Sequence, residues 1–381
     1  MRWGKPIGGY RQCVRCVLST ADDPSISFDD TGLCNHCRTY DDSVSREMVS
    51  DRDAKRELEL MLDEIRRSGN GKRYDCIIGL SGGVDSTYVA YKVKQLGLRP
   101  LAVHLDNGWD SELAVKNIES TVTGLGIDLY THVIDWKEFR DLQLSYFRAG
   151  VIDMEIPSDH AIMAALYNTA SKYGVRFILS GHNLVTEGFI PERWIHHKFD
   201  TLNLRSIHRK YGSIPLRTTP IISYPKFLFL TNLLGYRMFP LLNYMPYNKV
   251  VAKEEMAREL NWRDYGAKHY ESIFTRFYQG YILPEKFGVD KRKSHLSTLI
   301  CSGQMTRQEA LNELEKSPYP SAVQLEEDRV YVYKKLGFTE DSFKAYMNSP
   351  EVHHSAYPSY ISIYRKYLQP IVHGLRKLRG R

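Results

Sequence analysis

The sequence lacks any run of about 18 uninterrupted apolar residues, the length that a bilayer-spanning helix needs. Its most apolar segment, residues 214–245, is interrupted by Arg217, Lys226, Arg237 and four prolines. We therefore exclude a spanning helix and favour a buried or partner-facing substrate region, with a shallow membrane-surface contact as the alternative. Residues 1–10 also lack the apolar stretch of a secretion signal, so we predict a cytoplasmic location.

Strong charge of one sign is also missing. The formal net charge is +7 over 381 residues, which favours anionic partners such as nucleotides but does not by itself indicate nucleic acid. The composition fits no disordered class. A chain of this length can bury a full core, and we expect one large domain with smaller modules.

Cysteine is scarce, and four of the six cysteines form one constellation. Two C-x2-C knuckles with zinc-ribbon spacing are formed by Cys13, Cys16, Cys34 and Cys37. Four thiolates close a tetrahedral site without an open position, so the pattern predicts structural Zn²⁺. An iron–sulfur cluster and a disulfide pair are the alternatives. We interpret His36 as a neighbour of the ligands, and Cys76 and Cys301 as packing residues.

A phosphate-binding loop is predicted at residues 81–86, which read SGGVDS and lie between an apolar strand pattern and a helical pattern. Two adjacent glycines allow the backbone N–H groups to face one anion, and the serine hydroxyls and the helix N-terminus add donors. The Gly-Lys-Ser/Thr ending of the commoner P-loop is missing. A tight Ser/Gly turn is the alternative.

Strands and helices alternate downstream of this loop. This order predicts an α/β fold with a doubly wound parallel sheet, whose ligands bind beyond the carboxyl ends of the strands. We predict strands at 74–80, 101–105, 129–134 and 175–179, and helices at 86–97, 110–125, 137–147 and 159–173. We predict a zinc-ribbon-like module at 1–50, a nucleotide-binding domain at 51–210 and a mostly helical substrate or partner region at 211–381.

The loop resembles that of the PP-loop ATP pyrophosphatases, which cleave ATP between the α and β phosphates. The segment after the strand carrying His104 resembles the one that frames adenosine in GMP synthetase, and residues 180–183 resemble a glycine–histidine turn of PP-loop enzymes. A capped turn is the alternative for each. The nucleotide-binding residues implied are Leu80, Ser81, Gly82, Gly83, Val84, Asp85, Ser86, His104, Asp106, Asn107, Gly181 and His182.

Taken together, the knuckles, SGGVDS, LDNGW, LSGHN and residues 269–280 resemble the N-acetyl sugar amidotransferases of surface-polysaccharide biosynthesis. The resemblance implies an acetamido sugar nucleotide as substrate, in lipopolysaccharide O-antigen or nonulosonic acid biosynthesis. It also implies a reaction in which ATP adenylates the amide oxygen and ammonia then displaces AMP, leaving an acetamidino group.

The chemistry assigns candidate roles to individual residues. The loop would stabilise pyrophosphate as a leaving group, and Asp85 is also a candidate Mg²⁺ contact. The catalytic candidates are Ser81, Asp85, His182 and Lys291, and the substrate candidates are Asp159, His160, His269 and Arg276. Further cationic candidates are Lys268, Arg292 and Lys293. A solvated surface charge is the alternative for each cation, and a helix N-cap for Asp159 and His160.

No glutaminase motif is visible, because Met1 is followed by arginine and neither remaining cysteine has a nucleophile elbow. The resemblance implies a separate glutaminase subunit and a cyclase-like barrel subunit that supply ammonia. The rival functions are a PP-loop tRNA-thiolating enzyme and a non-enzymatic zinc-ribbon scaffold. We expect no nucleic-acid partner, at most a peripheral membrane contact, and a disordered basic tail at 376–381.

Overall fold

The computed structural model describes residues 9–47, 51–188, 190–266 and 270–363. The strands are β1 (Cys76–Gly79), β2 (Pro100–Asp106), β3 (Asp128–Val133), β4 (Phe177–Ser180) and β5 (Arg237–Pro240). The α-helices are α1 (Asn35–Glu47), α2 (Asp51–Gly69), α3 (Val84–Gln95), α4 (Glu112–Leu125), α5 (Trp136–Ala149), α6 (Ile156–Tyr173), α7 (Leu184–Glu187), α8 (Thr201–Tyr211), α9 (Tyr224–Leu228), α10 (Lys249–Leu260), α11 (Ile273–Phe277), α12 (Leu283–Phe287), α13 (Arg292–Cys301), α14 (Arg307–Glu315), α15 (Ala322–Leu336), α16 (Glu340–Asn348) and α17 (Tyr360–Ile363). Short 3₁₀-helices lie at Glu192–Trp194, Leu241–Tyr244 and His354–Ala356, and π-helical turns at Phe229–Leu233 and Tyr278–Ile282.

The five strands form one parallel sheet in the order β3-β2-β1-β4-β5. After β1 the chain adds β2 and β3 on one side, and it later adds β4 and β5 on the other side. The strand order therefore reverses between β1 and β4, which creates a crevice at the carboxyl ends of these two strands. The predicted parallel α/β fold is confirmed.

Alternating side chains of the central strands supply two core layers. Ile78 of β1 and Leu179 of β4 pack with α2, α3 and α10 on one face, where Val89 and Met256 are fully buried. Ile77, on the opposite face of β1, packs against α6 and the residues that follow α8. Both faces of β1 and β4 are covered, which is why these strands read as short continuous apolar runs in the sequence.

The strand β5 was not anticipated. It lies within the segment 214–245 and pairs with β4 from Phe177↔Arg237 to Ser180↔Pro240. The sheet therefore crosses the boundary predicted at residue 210. Beyond β5 the structure is helical, as predicted, and among the described residues no helix combines the length and apolar content needed to cross a bilayer.

The N-terminal cysteine module packs against the C-terminal helices. Its cysteines belong to the same buried cluster as Phe277, Phe287 and Phe343 of α11, α12 and α16. Val17 packs with Leu296 of α13 in a smaller cluster. The module therefore shares its core with the C-terminal region, although more than 200 residues separate them in the sequence.

Candidate active site and metal centre

The SGGVDS loop lies at the reversal of strand order, directly after β1. The Gly82 carbonyl accepts hydrogen bonds from Trp262 Nε1 at 2.9 Å and from Asn117 Nδ2 at 3.3 Å. Gly82 has φ +79°, and a Cβ atom there would lie 2.5 Å from the carbonyl oxygen of Ala114. Only glycine fits this position, because both the backbone conformation and the neighbouring helix α4 exclude a side chain.

The start of α3 presents a set of hydrogen-bond donors. Gly83 is the extended N-cap residue, and no side chain caps the helix. The Val84 N–H donates to the Tyr265 hydroxyl at 3.3 Å. The Ser81 hydroxyl accepts from the Gly83 N–H at 3.3 Å and lies 3.2 Å from the Ser86 hydroxyl. Together with the dipole of α3, these groups form a site suited to phosphate.

The turn after β4 closes against this loop. A Cβ atom at Gly181 would lie 3.0 Å from the backbone carbon of Asp85, so the absence of a side chain allows the close approach. His182 follows with 58% of its side chain exposed, and its Nδ1 lies 2.7 Å from a carboxylate oxygen of Glu187. The two loops predicted from separate motifs therefore flank one crevice.

Two tyrosines from the C-terminal half contact the phosphate loop. The Tyr247 hydroxyl donates to the Asp85 carboxylate. Burial and the charge of Asp85 raise the pKa of Tyr247 above its usual value, and burial and Glu271 do the same for the pKa of Tyr265. Both hydroxyls therefore stay protonated and can act as donors. Neither tyrosine carried a recognisable motif in the sequence.

His104 connects β2 to the phosphate loop. Its Nδ1 lies 2.9 Å from the Leu80 carbonyl oxygen and its Nε2 lies 3.2 Å from Asp110. Burial lowers the pKa of His104, but the hydrogen bond and charge of Asp110 more than offset this, so the pKa lies above its usual value. The contact holds the loops after β1 and β2 together.

The turn after β2 has one residue that builds it and one that faces the crevice. The Asp106 carboxylate accepts from the Gly108 N–H at 2.8 Å, which fixes the turn. Asn107 donates to the Ser158 hydroxyl at 3.3 Å and lines the crevice. The capped-turn interpretation thus describes Asp106 better than a nucleotide contact does.

A cavity of about 1220 Å³ occupies this crevice. The predicted site residues that line it are Leu80, Ser81, His104, Asn107, Asp159, Gly181, His182 and Lys291. Gly82, Gly83, Val84, Asp85 and Ser86 continue the loop from Ser81 into α3. Apolar side chains such as Ile162 and Met163 of α6 line a further wall. A mostly apolar cavity with a few convergent polar groups is typical of a small-molecule site.

A charged wall of the cavity lies at the start of α6. Lys291 Nζ lies 2.9 Å from Glu155, whose carboxylate also accepts from Gln279 at 3.0 Å. Lys198 lies 2.8 Å from Asp159, which has 40% of its side chain exposed. Of these, Lys291 and Asp159 were predicted, whereas Glu155, Lys198 and Gln279 were missed.

The pKa values of the two carboxyl groups differ in direction. Burial raises the pKa of Glu155, but the charges of Lys291 and Lys198 outweigh it and hold the pKa below its usual value. For Asp159, burial and the repulsion of Glu155 outweigh the attraction of Lys198, so its pKa is raised. Burial and the neighbouring carboxylates therefore disfavour the charged form of Asp159 more than Lys198 favours it.

Several other predicted residues are not brought to the cavity. His160 is buried, with Nδ1 2.8 Å from the Lys198 carbonyl oxygen and Nε2 accepting from the Ile222 N–H at 3.2 Å. Arg276 forms a bidentate pair with Asp328 at 2.6 and 2.8 Å. Both have structural contacts in place of the predicted substrate contact. Arg292 does line the cavity, and Lys293 pairs with Asp22 at 2.7 Å. Lys268 and His269 lie outside the described residues, as does the tail 376–381.

Two cavity-lining lysines were missed. Lys249 and Lys253 lie one turn apart on α10, which packs against α3. Lys249 is two residues from Tyr247, and Lys253 pairs at 2.6 Å with Asp264, the neighbour of Tyr265. Since both tyrosines contact the phosphate loop, the two lysines supply positive charge near a loop that has no lysine of its own.

The four N-terminal cysteines form a compact buried centre. Their sulfur atoms lie within 4.8 Å of one another, with Cys13–Cys37 at 3.8 Å and Cys16–Cys34 at 3.7 Å. A tetrahedron with metal–sulfur bonds of about 2.3 Å has edges of about 3.8 Å. The thiols therefore fit one zinc ion, which would crosslink the two knuckles, and are too close together for a cluster of several irons.

The surroundings of the centre clarify two further residues. His36 Nε2 lies 2.8 Å from Asp23, which agrees with its interpretation as a neighbour of the ligands. The Cys301 sulfur, at the end of α13, lies 3.7 Å from that of Cys37. Cys301 thus packs directly against the centre, a position that its isolated place in the sequence gave no reason to expect.

The C-terminal part of the chain matches a known family model. Residues 271–369 match the domain described as "LPS biosynthesis protein WbpG-like, C-terminal domain". This range contains helices α11 to α17. The match supports the resemblance to proteins of surface-polysaccharide biosynthesis. Within these residues the chain is similar to a domain of lipopolysaccharide biosynthesis proteins, and the phosphate loop and the parallel sheet agree with the predicted PP-loop type of fold.

Individual relatives of this chain have low sequence identity or match only part of it. An uncharacterised protein of Methanocaldococcus jannaschii is 22% identical over 324 residues, which are 82% of this chain and 96% of that protein. The tRNA-specific 2-thiouridylase MnmA 2 of Fusobacterium nucleatum is 30% identical over 115 residues, 28% of this chain and 33% of the relative. The structure of NMN synthetase from Francisella tularensis has 14% identity and a TM-score of 0.33, covering 80% of this chain and 98% of that one.

Proposed function

We propose that this chain is an ATP-dependent amidotransferase that converts the acetamido group of a sugar nucleotide into an acetamidino group. The amide oxygen attacks the α phosphate of ATP, and the bond to the β phosphate breaks to release pyrophosphate. Ammonia then adds to the imidate carbon, and AMP leaves with the former amide oxygen. The products are an acetamidine, AMP and pyrophosphate.

The observation that carries the proposal is the arrangement of two different walls in one cavity. One wall is the phosphate loop, whose N–H and O–H donors suit a departing pyrophosphate. The other is the charged wall of Glu155, Asp159, Lys198 and Lys291. With a nucleotide bound at the loop, the charged wall can contact the second, polar substrate that an adenylyl transfer requires.

The charge of the cavity supports the individual steps. Lys249 and Lys253 are suited to neutralise the pyrophosphate, and Asp85 is the carboxylate in the loop that a phosphate-bound Mg²⁺ would use. The acetamidine product is a cation, whereas the acetamide is neutral. The raised pKa of Asp159 reflects first its burial and then the repulsion of Glu155 and Asp153, and a cationic product bound beside it would stabilise its charged form.

Pyrophosphate release tests the reaction. Purified protein with ATP, Mg²⁺ and ammonium salt is expected to release pyrophosphate when an acetamido sugar nucleotide is added, and a mass decrease of about one unit per acetamido group should follow the exchange of oxygen for NH. Ser81→Ala with Asp85→Ala is expected to abolish release while folding is kept. Asp63→Ala, at an exposed position on α2, is the control and should retain activity.

The rival thiolation reaction has a distinct outcome in the same assay. Such enzymes need a reactive cysteine near the loop, but Cys76 is fully buried in β1 and burial raises its pKa, while Cys301 packs against the four-cysteine centre. Pyrophosphate release that requires tRNA and is unaffected by the acetamido sugar nucleotide would contradict the proposal.

Ammonia is proposed to come from a glutaminase subunit bound with a cyclase-like barrel subunit. The isolated chain should then use ammonium salts but not glutamine, and the reconstituted complex should use glutamine. Hydrolysis of glutamine by the isolated chain would contradict the need for a partner. This part of the proposal is independent of the identity of the sugar.

A further inference from the structure

The amino ends of the strands, opposite the cavity, carry a row of exposed cations. Because the sheet is parallel, the residues that precede each strand meet at one edge. Arg73 lies before β1, Arg99 before β2 and Arg176 before β4, and Arg237 begins β5. The backbone confirms the proximity, since the Arg237 N–H donates to the Arg176 carbonyl at 2.9 Å.

This edge carries positive charge beyond its ion pairs. Arg73 pairs with Asp128 at 2.8 Å, Arg99 with Asp75 at 2.6 Å and Arg237 with Glu64 at 3.0 Å. Those three pairs are neutral in sum. Three further cations adjoin them: Lys172 lies over the Tyr130 and Tyr173 rings, Lys226 donates to Asn168, and Arg176 is exposed.

An apolar projection lies beside these cations. The segment from α9 through the π-helical turn exposes Leu228 at 36%, Phe229 at 50%, Leu233 at 72% and Leu234 at 38%. Its inner face is anchored, because Leu230 is buried in the core layer beneath. The Tyr236 N–H donates to the Leu230 carbonyl at 3.0 Å just before β5, which places the projection at the amino edge.

We propose that this amino edge docks on an anionic lipid bilayer, with Phe229 and Leu233 inserted among the headgroups. Exposed apolar side chains surrounded by Lys and Arg complement a surface that is negative outside and apolar beneath. A protein partner would be expected to match the apolar patch, but the excess cations around it favour phosphate headgroups. The proposal is independent of the reaction in the cavity.

Vesicle sedimentation of the full chain tests the docking. The protein is mixed with vesicles of phosphatidylglycerol and phosphatidylethanolamine, or with vesicles of phosphatidylcholine alone. We expect binding to the anionic vesicles, weakened by salt, and little binding to phosphatidylcholine. Phe229→Ser with Leu233→Ser should weaken binding roughly tenfold or more, because two large apolar side chains no longer insert.

Matched variants distinguish docking through the amino edge from nonspecific hydrophobic binding to vesicles. Val323→Ser with Val330→Ser removes apolar side chains of comparable exposure, 69% and 56%, from α15, and should leave vesicle binding unchanged. Arg176→Glu should reduce binding to anionic vesicles and lessen its salt dependence.

Three outcomes would overturn the proposal. They are equal binding to both kinds of vesicle, equal loss in the α15 control, and undiminished binding of the Phe229/Leu233 variant. If the Phe229/Leu233 variant has a different oligomeric state from the wild-type chain but binds vesicles as the wild-type chain does, the patch is a protein interface. Pyrophosphate release, measured without vesicles, should be unaffected by the Phe229/Leu233 change.

Discussion

Replacing Gly82 with alanine should destabilise the fold and disable the phosphate loop together. The residue has φ +79°, a conformation that costs an alanine about 1–2 kcal/mol. The added Cβ would also lie 2.5 Å from the Ala114 carbonyl oxygen and 3.1 Å from its Cα. These are backbone atoms of α4, so no side-chain rotation can relieve the contact.

The second contribution to the loss of stability is the backbone shift that the contact between the new Cβ atom and α4 forces. Overpacking of this kind costs about 1–3 kcal/mol, so the total loss should be roughly 2–5 kcal/mol. The matched control is Gly126→Ala, at the C-cap of α4. Gly126 has φ +58° and no atom within 4 Å of its Cβ position, so its replacement costs only the conformational contribution. The difference between the two variants isolates the contact with α4.

Urea unfolding of both variants measures this difference, and pyrophosphate release measures its effect on the reaction. The Gly82 carbonyl must move away from Trp262 and Asn117, so release should fall at least tenfold in the Gly82 variant and remain near wild type in the control. Equal destabilisation of the two variants would refute the reasoning, because the loop would then not be held against α4.

Three further predictions follow from the charged groups. Lys253→Ala should weaken ATP binding about tenfold in equilibrium dialysis through the loss of a charged contact, whereas exposed Lys116→Ala should not; equal effects would exclude a phosphate contact. Cys34→Ser should lower zinc content, measured by mass spectrometry, and soluble yield together, and a fully folded zinc-free variant would contradict the structural role. The raised pKa of His104 means that its ionised form stabilises the fold below about pH 6.5 and that this stabilisation is lost as pH rises through the folded-state pKa. Asp110→Asn should therefore cost more in urea unfolding at about pH 5.5 than at about pH 8, and an equal cost would show that the pair does not depend on protonation.

The parts predictable from the sequence were those set by short-range patterns. The apolar run before Ser81, the paired glycines and the helical pattern after them specify a strand, a turn and a helix within about twenty residues. The knuckles were equally local, since Cys13 and Cys16 are only three residues apart in the sequence. The meeting of the SGGVDS loop with Gly181 followed from topology, because parallel strands place their carboxyl ends at one edge.

The parts that sequence could not supply depend on contacts between distant residues. Tyr247 contacts Asp85 across 162 residues, and Lys291 contacts Glu155 across 136. No local spacing encodes such pairs. His160 and Arg276 were assigned to substrate because their residue types suit it, but buried polar partners satisfy both. The strand β5 was missed because its four residues lie among prolines and apolar residues without a clear period of two.

Helix α13 bears on whether the N-terminal module is a separable unit. One side of this helix places Arg292 and His295 in the cavity wall. The other side receives the module, through Lys293 with Asp22 and through the Val17 N–H to the Ser297 hydroxyl at 3.4 Å. The module is thus not an independent unit, because a shortened chain starting at residue 51 would leave the back of this cavity wall exposed to water.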